Sequence, residues 1–215
     1  MRVRQPTSVA LAGPDRRLGA GEAMSLTVKR ATHPDNSPWP PLHKLAPMET
    51  YAPTSASDDL LLLLDRNQLP YDIVEHEPVF TIEDALAATP EIDGIKTKNV
   101  FLRDAKGTRH FLVIVPHDVR LDIPALGRTL ESSKLSMGSP DRLQRHLGVS
   151  PGAVSVFALV NDRDGAVELI FDERVWKADK VQAHPLRNTA TVAIGRDALM
   201  AFLALTGHEP RAIRL

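Results

Sequence analysis

Three features of the sequence carry groups that could act on an ester. Lys98 precedes a short apolar run, and its ammonium group could anchor a phosphate or polarise a carbonyl. Gly152 follows Pro151 in a turn sequence, where backbone N–H groups can be directed at a carbonyl oxygen without any side chain. His184 opens a third polar segment. Each also fits an ordinary role, as a surface lysine, a structural turn and a partly buried histidine, so the residues alone leave both interpretations open.

Several other chemistries find no support in the sequence. The absence of cysteine excludes disulfides, thiolate zinc sites and cysteine nucleophiles. The eight histidines show no helical metal-binding pair. No serine-hydrolase elbow is present, since the glycine spacing around Ser155 is wrong, and no phosphate-binding glycine loop occurs. We therefore expect neither a metal nor a cofactor.

The charge distribution limits the partners that the chain could bind. Residues 1–47 carry seven Lys and Arg against three Asp and Glu, whereas the remainder carries nineteen against twenty-four. A mildly acidic folded part is not a general nucleic-acid binder, because such binding depends on neutralising phosphates. A local contact could come from five cations: Lys96, Lys98, Arg103, Lys106 and Arg109. The same cations would also suit the solvated surface of a hairpin.

The first fifty residues differ from the rest of the chain. They hold seven of the seventeen prolines and show no sustained periodicity, so we expect a disordered extension, either an artefact of the assigned gene start or a weakly basic tail that helps to hold RNA. No apolar run reaches the ~18–20 residues that span a membrane, and no secretory signal is recognisable. We therefore expect a cytoplasmic protein with one folded domain over residues 51–215.

Helices and strands that would position the candidate groups are mixed along this domain. Ser57 is expected to cap a helix over 60–67, and Ser139, Pro140 and Gly148 to bound another. Thr81 begins a capping-box pattern for a helix that ends at Ala88. The remaining predicted elements are a strand at 71–75, a hairpin of 99–103 with 110–115, a helix at 123–130, a second hairpin of 153–160 with 166–171, a strand at 189–194 and a helix at 197–206. The fold class is thus α+β, with a mixed and largely antiparallel sheet surrounded by helices.

Six segments in this order resemble the YbaK/prolyl-tRNA editing family. They are 76–85, 97–104, 139–143, 147–155, 160–162 and 184–191. The resemblance is strongest to the trans-editing branch called ProXp-ala or PrdX, which removes alanine mischarged onto proline tRNA. It implies a metal-independent aminoacyl-tRNA deacylase whose partner is the acceptor 3′ end of mischarged tRNA(Pro), with prolyl-tRNA synthetase as a further candidate partner.

The resemblance also assigns roles to individual residues. The family's essential lysine corresponds to Lys98, and its G-x-x-x-P loop, whose backbone embraces the aminoacyl carbonyl, corresponds to 152–156. Backbone amides at Gly152 and Ala153 are then expected to stabilise the oxyanion. The chain departs from the pattern at Val156, where the family has proline. The residues expected to contact the substrate are Thr81, Asn99, Ser155, Val156, His184 and Asn188.

Two alternatives remain at this point. Val156 does not enforce the loop conformation that proline would fix, so the chain could be a module that binds tRNA or an aminoacyl group without efficient hydrolysis. It could also deacylate another mischarged tRNA, such as Cys-tRNA(Pro) or a serine-charged species.

Overall fold

The computed structural model describes residues 29–30, 57–78, 91–132 and 134–215. These residues form nine strands, five α-helices and one 3-10 helix. The strands are β1 (Lys29–Arg30), β2 (Tyr71–Glu75), β3 (Ile95–Asp104), β4 (His110–Pro116), β5 (Leu135–Met137), β6 (Val167–Asp172), β7 (Lys180–Ala183), β8 (Ala190–Gly195) and β9 (Pro210–Ile213). The helices are α1 (Ser57–Arg66), α2 (Ile123–Thr129), α3 (Pro140–Leu147), α4 (Glu173–Lys177), α5 (Arg196–Thr206) and the 3-10 helix (Val156–Asn161).

The strands form one mixed sheet in the order β1-β2-β8-β7-β3-β4-β6-β9, with β5 paired beside β3. Three pairings are parallel, namely β3 with β7, β4 with β6, and β6 with β9, and the others are antiparallel. The predicted α+β class with a mixed, largely antiparallel sheet is confirmed.

The side chains of β3 and β4 divide between two hydrophobic cores because successive residues of a strand face opposite sides of a sheet. Phe101 and Ile114 belong to the larger core, which contains three of the leucines of α1, the apolar residues of the 3-10 helix and the buried face of α5. Leu102 and Val113 belong to a smaller core on the other face, which is covered by Leu126 of α2 and by Leu130 directly after that helix. We call these sides the large-core face and the small-core face.

The predicted helix boundaries at α3 are confirmed. The Ser139 hydroxyl accepts a hydrogen bond from the Arg142 amide, Pro140 takes the first helical position, and Gly148 ends the helix with a φ of +62°. Glycine adopts this left-handed backbone conformation at little energetic cost. The helix predicted at 197–206 is α5, which ends before Gly207 at a φ of +74°. The predicted hairpin of β3 and β4 is also present, with Arg103 opposite His110.

The second predicted hairpin is wrong. Residues 153–160 do not form a strand: 156–161 form the 3-10 helix, and β6 pairs in parallel with β4 and β9 instead. The apolar residues 156–160 are all buried. The hydrophobic pattern of so short a buried segment does not distinguish a strand from a helix. The local cause is Ser155, whose hydroxyl accepts a hydrogen bond from the Phe157 amide and so caps the helix at its start.

Four short elements were not predicted: β5, α4, β7 and β9. In the N-terminal extension the structure describes only Lys29–Arg30, which pair with Asp72 and Ile73 although disorder was expected there. The helix predicted from Thr81 to Ala88 lies outside the described residues. Among the residues that are described, no helix is long and apolar enough to cross a membrane.

Candidate active site

The candidate site lies along β3, between the residues that pair with β7 and the residues that pair with β5. On the side away from β4, β3 pairs with β7 only at Ile95 and Lys96, and with β5 only from Leu102 onward. The Thr97 hydroxyl closes one end of the interval by donating to the Gln182 carbonyl at 2.7 Å. Between these pairings, no strand of the described part of the chain lies against residues 97–100 on this side of β3, and the Gly138 amide donates to the Phe101 carbonyl at 2.9 Å. We call this interval beside Lys98 and Asn99, along which no described strand pairs with β3, the opening in the sheet.

Lys98 lies on the small-core face of this opening. It stands opposite Val115 in β4, and its side chain shares a face with Val100 and Val113. Lys98 is half-buried, and no ion pair joins it to a side chain within the described ranges. An ammonium group in this setting is available to an anionic ligand.

His184 leaves the end of β7 near Lys98. It follows Gln182 by two residues, and Gln182 pairs with Lys96, which lies two residues before Lys98. Burial and the neighbouring His76 lower the pKa of His184 to about 4. Its ring centroid lies 6.2 Å from that of His76. His184 is therefore neutral at pH 7 and can offer a hydrogen-bond donor and an acceptor.

Hydrogen bonds fix the tautomer of His76. Its Nδ1 lies 2.8 Å from the Glu77 carbonyl, which can only accept, so Nδ1 carries the proton. Its Nε2 lies 3.0 Å from the Thr191 hydroxyl and therefore accepts from it when the ring is neutral. His76 is therefore a buried neighbour of His184 whose ring is held in place by these two hydrogen bonds. The sequence contained a signal for it, since His76 opens the first matching segment.

Arg187 fixes the loop that carries His184 and Asn188. Its guanidinium binds both carboxylate oxygens of Glu75, at 2.7 and 2.6 Å. Its Nε donates to the Ser57 hydroxyl at 3.0 Å, and Nη1 donates to the Thr189 hydroxyl at 2.9 Å. This arrangement ties the loop to β2 and to the start of α1. Sequence reasoning did not select Arg187, although it lies within the last matching segment.

Asn99 faces the other side of the sheet. It stands opposite Ile114 and shares the large-core face with Phe101. Its Oδ1 is buried and has no hydrogen-bond partner among the described residues. A buried acceptor without a partner is costly, so a ligand that donates a hydrogen bond there would be favoured.

The Gly152 turn also packs on the large-core face. Gly152 is exposed with a φ of +91°, and the Ala153 amide donates to the Ser150 carbonyl at 3.1 Å. Proline followed by a left-handed glycine is typical of a type II turn. Because the Ala153 N–H is already used within the turn, the N–H groups of Gly152 and Val154 are the better oxyanion donors. Neither has a backbone partner in the described part of the chain.

Ser155 and Val156 support this turn rather than line an open surface. Both have 0% exposure. The Ser155 hydroxyl caps the 3-10 helix, and Val156 is the first residue of that helix, in contact with the large core. We therefore treat them as positioning residues and not as substrate contacts.

The candidate residues thus fall into two groups. Lys98 lies on the small-core face, with His184 just beyond the end of β7, whereas Asn99, Gly152 and Ala153 lie on the large-core face. A ligand that contacts both groups would therefore reach both faces of the sheet at the opening. Asn188 is half-buried in the Arg187 loop, and Thr81 lies outside the described residues.

Replacing Gly152 with alanine tests whether the turn has a chemical role. A Cβ at Gly152 meets no atom within 4 Å, and neither does one at Gly165, which has a φ of +60° in a turn before β6. Each substitution should cost about 1 kcal/mol of stability through backbone strain. We expect only Gly152→Ala to lower ester hydrolysis, by about tenfold or more, because it shifts the Gly152 N–H. Equal hydrolysis rates for the two variants, at equal melting temperatures, would contradict this role.

Within the described residues, no group of three or more His, Asp or Glu side chains is placed to hold a metal ion. The arrangement instead offers backbone N–H groups, an ammonium group, a buried amide oxygen and a neutral imidazole. These groups can bind a polar ester and stabilise negative charge on its carbonyl oxygen.

Comparison with known proteins identifies the family to which the chain is similar. The model of the aminoacyl-tRNA editing domain matches residues 76–202. The prolyl-tRNA editing protein ProX of Acetoanaerobium sticklandii is 38% identical over 160 residues, which cover 74% of this chain and 98% of the relative. The prolyl-tRNA synthetase associated domain-containing protein 1 of Danio rerio is 33% identical over 161 residues, covering 74% and 87%.

A solved structure described as a candidate trans-editing enzyme for prolyl tRNA synthetase has the same fold. It superposes with a TM-score of 0.55 at 21% identity and covers 77% of this chain and 99% of that one. The fold, the matched residues and the curated relatives together lead to one conclusion: the chain belongs to the aminoacyl-tRNA editing domain family.

Proposed function

We propose that the protein is a trans-editing deacylase that hydrolyses the ester of mischarged Ala-tRNA(Pro). The observation that carries the proposal is the family match over 76–202, because it includes Lys98, the Gly152 turn and His184. The names of the relatives, a prolyl-tRNA editing protein and a prolyl-tRNA synthetase associated protein, support tRNA(Pro) as the tRNA. They also support prolyl-tRNA synthetase as a partner.

The reaction requires no protein nucleophile because an aminoacyl-tRNA ester is already activated. Water adds to the carbonyl carbon, the bond from that carbon to the ribose oxygen breaks, and the ribose oxygen leaves with a proton. The products are the free amino acid and uncharged tRNA. The N–H groups of Gly152 and Val154 stabilise the negative charge that develops on the carbonyl oxygen. The terminal ribose hydroxyl or a positioned water assists the proton transfer.

The side chains around the opening bind and orient the substrate. Lys98 holds the phosphate or ribose of the 3′-terminal adenosine and thereby fixes the ester. Asn99 offers its buried Oδ1 to a donor on the substrate, such as the α-ammonium group. His184 remains neutral at pH 7, since its pKa is about 4, and so does not repel that ammonium.

Discrimination between alanine and proline requires steric exclusion. A missing methylene changes binding by only ~1–3 kcal/mol when it merely removes contact. A pocket that fits the alanine methyl group but collides with the proline ring would protect correctly charged tRNA.

The test is a panel of purified tRNA(Pro) charged with alanine, proline, cysteine or serine. We expect rapid hydrolysis of Ala-tRNA(Pro) and little hydrolysis of Pro-tRNA(Pro). Faster hydrolysis of the cysteine or serine ester would show that the edited amino acid is cysteine or serine and not alanine. Binding of the tRNAs without hydrolysis of any ester would instead identify a non-catalytic module.

Replacing Val156 with proline tests whether the departure from the family loop matters. Val156 is the first residue of the 3-10 helix, where proline is well tolerated, and Ser155 before it has the extended conformation that precedes proline, with φ −147° and ψ 154°. We expect Val156→Pro to fold with a melting temperature within about 4 °C of wild type, which corresponds to about 1 kcal/mol for a domain of this size. Its deacylation rate should match that of wild type. A wild type that is inactive until Val156→Pro is introduced would overturn the catalytic proposal.

A further inference from the structure

A cationic surface surrounds the turn between β3 and β4 and continues onto α3. Its members are Arg103, Lys106, Arg142 and Arg145, and we call it the α3 cationic surface. Lys106 and Arg145 are exposed, whereas Arg103 and Arg142 are half-buried. None of the four forms an ion pair with a carboxylate of the described part of the chain.

Hydrogen bonds to the backbone hold the two inner arginines in place. Arg103 Nη1 donates to the Asp104 and Ala105 carbonyls at 2.9 and 3.0 Å. Arg142 Nη1 donates to the Gly107 carbonyl at 3.1 Å and lies 2.8 Å from His110 Nε2. Carbonyl and imidazole acceptors leave the full positive charge of each guanidinium uncompensated. The surface therefore presents ordered cations to an external anion.

The cations that lie together in the structure differ from those that are close in the sequence. Arg109, which is near Lys106 in sequence, binds both oxygens of Glu168 at 2.7 and 2.8 Å, so its charge is compensated. Arg142 and Arg145, which are distant in sequence, are brought to the turn instead by the bond between Arg142 and Gly107.

The described residues of the turn and of α3 include two carboxylates. Asp104 is 7% exposed, and its oxygens accept from the Thr108 amide and hydroxyl and from the Arg109 amide, so it serves the turn internally. Asp141 is exposed in the first turn of α3. Four cations and two carboxylates leave a local excess of positive charge on a folded part that is acidic overall.

The position of the surface relates it to the candidate active site. Arg103 lies on the large-core face, as Asn99 does, and α3 leads directly into the segment 148–155 that contains Gly152. A polyanion lying along α3 would therefore place one end at the Gly152 turn.

We propose that the α3 cationic surface binds the phosphate backbone of the tRNA acceptor stem while the 3′ end enters the opening beside β3. This inference rests on the proposed function for the identity of the RNA. Contacts of this kind supply affinity that is independent of sequence and decreases with salt. They should affect substrate binding and not the chemical step.

The experiment compares two double variants that change the net charge equally. Lys106→Glu with Arg145→Glu alters the surface at exposed residues for which the structure shows no side-chain hydrogen bond to a described residue. Arg128→Glu with Arg214→Glu is the matched control, because Arg128 lies on α2 across the sheet and both residues are exposed. Equal melting temperatures establish that both variants fold.

Binding of an uncharged tRNA(Pro) transcript is measured first, as a function of salt. We expect the surface variant to bind about tenfold or more weakly, with its slope of log K against log[salt] reduced by about one to two. The control should bind like wild type. Equal weakening in both variants, or wild-type binding by the surface variant, would overturn the inference.

Hydrolysis then separates this inference from the proposed function. The surface variant should lower kcat/KM for Ala-tRNA(Pro) but should hydrolyse 3′-alanyl-adenosine, which lacks the stem, at the wild-type rate. Equal loss on both esters would contradict a docking role. A wild type that hydrolyses neither ester refutes the proposed deacylase. The binding comparison still tests, independently of hydrolysis, whether the α3 cationic surface binds tRNA.

Discussion

Replacing Lys98 with alanine should lower kcat/KM for Ala-tRNA(Pro) by about 100-fold or more, in line with the ~10²–10³-fold cost of removing one charge-stabilising donor from an active site. Lys98 is half-buried beside the opening in the sheet and forms no ion pair with a described side chain, so its removal should leave the melting temperature nearly unchanged. The measurement is deacylation under single-turnover conditions, with thermal unfolding as the check on folding.

Lys96 provides the matched control for this experiment. It lies two residues before Lys98 on the same strand and face, but at the position where β3 still pairs with β7. We expect Lys96→Ala to change kcat/KM less than about threefold, as for a surface charge outside the site. Equal rates for wild type and Lys98→Ala would eliminate Lys98 as a catalytic group, and equal losses in the two variants would indicate a general charge effect.

Replacing Asp162 with alanine should cost about 3–5 kcal/mol of unfolding free energy, because it removes the acceptor of three hydrogen bonds and each buried donor left unsatisfied costs about 1–3 kcal/mol. The Asp162 carboxylate accepts from His208 Nε2 at 3.0 Å and from the amides of Ala166 and Val167 at 3.1 and 2.8 Å. The side chains of Asp162 and His208 are each only 3% exposed. Urea denaturation measures the loss. Asp164→Ala, an exposed change in the same turn, should alter stability by less than about 0.5 kcal/mol.

The same carboxylate predicts a dependence of stability on pH. Burial alone would raise the pKa of Asp162, but hydrogen bonds from His208, Val167 and Ala166 outweigh it and lower the pKa below its usual value. A carboxyl group whose pKa is lowered by folding stabilises the native state above its unfolded pKa of about 3.9. This contribution is lost as the pH falls through the lower, folded value. The acid-induced loss should therefore be smaller in Asp162→Asn, and an identical pH profile for that variant would contradict the assignment.

Local signals in the sequence were sufficient for some elements of the fold. Ser139, Pro140 and Gly148 bound α3 because capping and left-handed glycine are decided within one helical turn. The turn between β3 and β4 was similarly readable, since Gly107 takes a φ of +71° there. Strands that depend on distant partners were not predictable. β9 begins at Pro210 and exists because it pairs with β6.

The candidate site was predictable only to the level of its motifs. Lys98, Gly152 and His184 could be selected from the sequence, but the opposite faces of Lys98 and Asn99 follow from the register of β3 with β4, and the place of His184 follows from the pairing of β3 with β7. The engagement of the Ala153 amide with Ser150 and the burial of Ser155 and Val156 are likewise consequences of packing. A motif specifies which residues matter, whereas strand register specifies which of them can meet one ligand.

The bonds of Arg187 couple two segments that are far apart in the chain. Since its guanidinium contacts Glu75, Ser57 and Thr189 together, the loop 184–189 cannot open fully while these bonds persist. Amide hydrogen exchange in that loop should therefore be linked to fraying of the first turn of α1, as one cooperative unit. Any force or partner that acts on the chain immediately before Ser57 would then alter the lifetime of these bonds and of the loop conformation beside the candidate active site.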